Sequence, residues 1–70
     1  MKGKKNYKLL KLLDDMGYSQ TRLALELGCS YPCLQNKVAG KRDFLATEIA
    51  KIQEIFQLTA EEVEDIFLKE

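Results

Sequence analysis

Apolar residues return along most of this chain at steps of three and four, the period of a helix with one buried face. From about Asn6 to Met16, Leu9, Leu10, Leu12, Leu13 and Met16 keep that spacing, and Gly17 follows as a stop. "QTRLALEL", residues 20 to 27, makes a second segment with Leu23, Ala24 and Leu27 on one face; Ser19 precedes it as an N-cap and Gly28 closes it. A third, "YPCLQNKVA", begins after the capping residue Ser30 and ends at Gly40. A fourth, "LATEIAKIQEIF", sets Leu45, Ile49, Ile52 and Phe56 in one stripe with Ile55 beside it. Its start is poorly marked, since neither Phe44 nor Leu45 is a capping residue. Thr59 with Glu62 three positions on is a capping box for a fifth helix, whose apolar face is Val63, Ile66 and Phe67.

Runs of β-branched residues are scarce, and the one proline, Pro32, falls in the first turn of the third segment, where a missing N–H costs little. The pattern predicts an all-α protein: one compact five-helix domain over residues 1–70, with no room for a second core. Helices 2 and 3, at about 19–39, are adjacent and joined by a glycine-containing turn, the unit that many DNA-binding proteins use. Hydrophobic residues are 46% of the chain, enough for a folded globule rather than a disordered segment.

Charge changes the picture through its layout. The formal net charge is zero, yet Met1 to Arg42 hold nine Lys/Arg against three Asp/Glu, and Asp43 to Glu70 hold two Lys against eight Asp/Glu. A polyanion responds to the local field it meets, so this division fits a basic binding side and an acidic far side. Chance clustering of charge is the plainer account. Glu61, Glu62 and Asp65 lie in or near the first two turns of the fifth helix, where carboxylates in the first turn favour the positive end of its dipole. No apolar run approaches the roughly 20 residues of a membrane span, and no signal-peptide stretch stands at the N-terminus. A cytoplasmic protein without membrane contact is expected, with Cys29 and Cys33 reduced.

Two cysteines and no histidine fall short of the four ligands of a structural zinc site, so both cysteines are expected to serve packing, with no metal and no cofactor. An enzyme is not expected either. There is no histidine, no phosphate-cradling glycine loop and no nucleophile–base pair, and a chain of this length forms no deep pocket for a small molecule. The third helix is the remaining candidate. At about 100° per residue, Leu34 and Val38 face the core. Pro32 and Asn36 point away, Gln35 and Ala39 lie beside them, and Tyr31 sits at the leading edge. Asn and Gln can bond adenine bidentately, and a tyrosine can lie against a thymine methyl or reach a phosphate. Lys37, Lys41 and Arg42 supply positive charge at the far end. A merely solvated face would carry similar residues.

Taken in order, "SQTRLALELGCSYPCLQNKVAGKRDF" resembles the helix-turn-helix of the phage Cro/CI-type repressor family, small prokaryotic regulators. Gln20 opens the second helix, Leu23-Ala24 lies within it, Leu27-Gly28 stands at the turn, Ser30 caps the next helix, and Gly40-Lys41-Arg42 follows. Downstream, "FLATEIAKIQEIFQLTAEEVEDIF" resembles the family's last two helices, so the likeness covers about Tyr7 to Phe67. It implies a five-helix, lambda-repressor-like domain that binds double-stranded operator DNA, commonly as a homodimer on a palindromic site. By position, Gln20 would anchor a phosphate. Tyr31, Pro32, Gln35 and Asn36 would lie in the major groove, while Lys41 and Arg42 hold the backbone. Thr21, Ser30 and Lys37 complete the implied DNA-binding set. The family often has a polar residue where Pro32 stands, an apolar core residue where Lys37 stands, and Asn where Ala39 stands. Val38 is expected to fill the core position, with the Lys37 stem along its edge. The competing class is a helix-turn-helix module that binds another regulator instead of DNA.

Overall fold

Side chains that reach back to backbone N–H groups three residues on set where these helices begin. In the computed structural model, which describes residues 5–68, Asn6 Oδ1 accepts from Leu9 N–H at 3.0 Å and starts α1, Tyr7–Asp15. Ser19 Oγ accepts from Arg22 N–H at 3.0 Å and starts α2, Gln20–Leu27. Ser30 Oγ accepts from Cys33 N–H at 3.2 Å and starts α3, Tyr31–Val38. The fourth helix, α4, is Ala46–Phe56. Thr59 and Glu62 exchange both bonds of a capping box, at 3.1 and 2.9 Å, ahead of α5, Ala60–Val63. After one turn the fifth helix continues as a π-helical segment, Glu64–Leu68. No strand occurs among the described residues. Lys2 and Lys4, which add to the basic half of the chain, lie outside them.

Gly28 closes α2 at φ 74°, a left-handed geometry that spares glycine the Cβ clash other residues meet. The other notable exit has no glycine. Gln57 ends α4 at φ 53°, and Gln53 Nε2 donates to the Leu58 carbonyl at 3.1 Å just beyond.

The core takes Leu9 and Leu13 from α1, Leu23 and Ala24 from α2, Leu34 and Val38 from α3, Ile52 and Phe56 from α4, and Leu58 after it. Val63, Ile66 and Phe67 pack against it only half-buried, and α5 with its π segment buries no residue fully. The stripe expected on α4 is corrected at its first member. Leu45 is 60% exposed because it precedes the helix as its N-cap residue, off the buried face. Met16, expected on the α1 stripe, is likewise 56% exposed as the C-cap.

Asn6 is a junction. Its N–H donates to the Val38 carbonyl at 2.8 Å, and its Nδ2 donates to the Ile66 carbonyl at 3.0 Å. One residue thus joins the start of α1 to the end of α3 and to the C-terminal segment. Edge-to-face ring pairs, Tyr18–Phe56 at 5.0 Å and Phe44–Phe67 at 5.2 Å, tie the margins to the centre. The radius of gyration, 11.0 Å, equals the value of about 11 Å for a compact chain of this length. No helix among the described residues is long and apolar enough to cross a membrane.

Candidate nucleic-acid interface

Gly28, Cys29 and Ser30 alone separate α2 from α3, and the two helices pack directly on each other. Leu34 and Val38 anchor the inner side of α3, at 0% and 2% exposure. Tyr31, Pro32 and Asn36 are exposed on the outer side. Pro32 occupies the first turn, where no N–H is needed, so the ring leaves the helix undistorted. Ser30 is exposed, but its hydroxyl is engaged in the cap. Thr21 is exposed at the start of α2.

Gln20 and Gln35, fifteen positions apart, meet across the two helices. Gln35 Nε2 donates to Gln20 Oε1, and both side chains are half-buried by the contact. Sequence spacing within one helix carries no signal of this bond. It fixes the Gln35 amide while leaving it one N–H and its carbonyl oxygen.

The connection after α3 is held by the helix end itself. The Asn36 carbonyl accepts from Lys41 N–H at 2.9 Å and from Arg42 N–H at 3.3 Å, with Gly40 at φ 83° making the bend. Lys41 and Arg42 are exposed beside the helix. With Cys33, Lys37, Asp43 and Leu45 they line an open cleft of about 340 Å³.

Lys37 is placed differently from the expectation that it would face a nucleic acid. Its side chain is 8% exposed, and Nζ donates to Glu48 Oε2 on α4. Three positions after the buried Leu34, the lysine falls on the flank of the core face and folds inward, because Glu48 waits there. Glu48 Oε1 also accepts from Leu45 N–H at 2.8 Å and so supplies the missing start of α4. Burial alone would raise the Glu48 carboxyl. The Lys37 hydrogen bond, the Leu45 N–H and the charges of Lys37 and Arg42 outweigh it and hold the group below the usual carboxylate range.

Cys29 and Cys33 are free thiols, both half-buried, with Cys29 packed against the core. Burial pushes the Cys29 thiol up and its neighbour Cys33 adds to the effect, so neither burial nor neighbour favours a reactive thiolate there. Among the described residues, no three His, Cys, Asp or Glu side chains gather in a metal-holding group.

The outer face of α3 thus offers two amides, an aromatic ring and a proline ring, with two cations anchored at its end. No Asp or Glu interrupts the chain between Leu27 and Arg42. Against protein-family models, curated proteins and solved structures, the chain finds no match.

Proposed function

We propose that this protein is a sequence-specific regulator of transcription, a Cro-like member of the phage Cro/CI-type helix-turn-helix repressors with a lambda-repressor-like fold. It binds operator DNA as a homodimer in the cytoplasm, with α3 in the major groove. The observation that carries this reading is the half-buried Gln20–Gln35 bond beside the exposed, carboxylate-free side of α3 that holds Tyr31, Pro32 and Asn36. Adenine offers N7 as acceptor and N6–H as donor in the major groove. A glutamine that has given one N–H to Gln20 retains the matching N–H and oxygen, already oriented. Asn36, exposed one position on, supplies a second amide, and Tyr31 and Pro32 supply apolar contact. Gln20, Thr21, Lys41 and Arg42 serve the phosphates, which set register without reading sequence.

The test is selection of preferred duplexes from a random pool, followed by titration of the winner and a scrambled duplex at several salt concentrations. An enriched palindrome is expected. Gln35→Ala should lose roughly 1–3 kcal/mol on the preferred site and little on the scramble. Lys41→Ala should weaken both and lower the salt slope by about one. Equal behaviour of the two variants would undo this division of roles.

Zero net charge and the 76% exposure of Leu25 on α2 favour a second reading, a module that binds another regulator. Binding without enrichment of any duplex would support it.

A further inference from the structure

We infer that Glu48 sets the selectivity of the DNA-facing surface by withholding Lys37 from it. The biological meaning rests on the DNA-binding reading; the sequestered cation itself does not.

Lys37 precedes Lys41 and Arg42 by four and five positions and lines the same cleft, so its stem is long enough to present a third cation there. It does not. The ammonium lies inside, on Glu48 Oε2, and the two side chains are 8% and 9% exposed. Glu48 cannot follow the lysine outward, because its other oxygen holds the Leu45 N–H at the start of α4. Lysine thus chooses between two stable places, a buried carboxylate and open water, and the carboxylate decides. An ammonium left inside without that charge is strongly disfavoured, and the four-carbon stem gives it a short route into the cleft. There it would meet phosphate. A contact of that kind strengthens binding to every duplex alike and dilutes the share of binding that base contacts control. Glu48 therefore acts as a specificity-determining residue that touches no DNA, and the same pair fastens α3 to α4.

The experiment combines salt titration on scrambled and preferred duplex with lysine acylation read by peptide mass spectrometry. It compares the wild type with Glu48→Gln, Lys37→Met/Glu48→Gln and Lys41→Ala. In the wild type, Lys37 should acylate far more slowly than Lys41. Glu48→Gln keeps an oxygen for the Leu45 N–H but not the charge. It should bring Lys37 acylation up to the Lys41 rate, steepen the salt slope on scrambled DNA by about one and lower the preferred-to-scrambled ratio. The double variant should keep the wild-type slope, whereas Lys41→Ala lowers it by about one.

A slope that falls by about one in the double variant would overturn the inference, since Lys37 would already be reaching phosphate. So would a folded Glu48→Gln protein with Lys37 still protected and the slope unchanged. Should Glu48→Gln fail to fold by circular dichroism, wild-type acylation and the double variant decide. A wild type that prefers no duplex, with Lys37 protected and then released by Glu48→Gln, would leave the sequestration standing while the DNA-reading function fell.

Discussion

The α2–turn–α3 unit and the C-terminal segment after Thr59 both begin with well-made caps, yet they differ in what holds them down. Ser19, Ser30 and Thr59 each accept the expected N–H. Behind the first two caps stand four buried apolar residues, Leu23, Ala24, Leu34 and Val38. Behind the third stands none; one α-turn gives way to a π-turn. The Asn6–Ile66 bond, the exposed Lys8–Asp65 pair and the Phe44–Phe67 edge contact hold it laterally. A cap fixes where a helix starts; burial decides how hard it is to remove. The C-terminal segment therefore sits at the low end of local stability.

Ion pairs give the widest contrast. Lys37→Ala strands Glu48 inside the protein and should cost about 3–5 kcal/mol, a large share of what a domain of this size possesses. Lys8→Ala breaks a pair whose two side chains are about half exposed, 53% and 52%, and should cost at most about 1 kcal/mol. Urea unfolding of both variants measures the difference. Equal losses would mean that the C-terminal tie matters as much as the buried one.

Apolar truncations follow. Leu34→Ala removes a core side chain of α3 with 0% exposure and should cost about 2–5 kcal/mol. Phe67→Ala uncovers a ring that is only half-buried and should cost about 1 kcal/mol. Its loss should also speed hydrogen exchange in residues 60–68 without reaching α3. Exchange that accelerates uniformly would join the two regions into one cooperative unit.

Acid sharpens the first contrast without mutating the pair's geometry. The Glu48 carboxyl titrates lower in the folded protein than in the unfolded chain, so its contribution is complete above the ordinary glutamate value of about 4.3. It is lost as pH falls from there through the lower folded value, because the unfolded state takes up the proton first. The wild type should therefore lose more stability between about pH 5 and pH 3 than Lys37→Met/Glu48→Gln does. Parallel pH curves for the two proteins would assign the acid sensitivity elsewhere.

The features read correctly from the chain are those set by neighbours a few positions apart. Caps act over three residues, glycine stops act at one, and Leu34 and Val38 share a face by helical period alone. Much of what the chain concealed depends on partners across helices. Periodicity put Leu45 in the core and left the start of α4 unmarked, while Glu48, three residues on, both starts the helix and is buried. The offset from Leu45 to Glu48 was half of a capping box, a signal present in the sequence. The burial of Glu48 was not legible, because it requires Lys37 eleven positions earlier on another helix. The Gln20–Gln35 bond is hidden for the same reason. Gln57 closes α4 in a left-handed conformation with no glycine to announce it.

The smallest contrast isolates the caps themselves. Ser30→Ala and Thr59→Ala each remove one side-chain acceptor from an exposed N–H, Cys33 in one case and Glu62 in the other. Local chemistry predicts a similar intrinsic loss of about 1 kcal/mol at both sites. The consequences should nevertheless diverge. α3 is held by Leu34, Val38 and Lys37, so the loss at Ser30 must be drawn from the stability of the whole domain and should appear as a lower urea midpoint. The C-terminal segment buries nothing fully and can open by itself. Its loss should appear in hydrogen exchange of residues 60–68, with a midpoint nearly unchanged. Equal midpoint shifts would show that the last helix folds and unfolds with the core, its shallow burial notwithstanding.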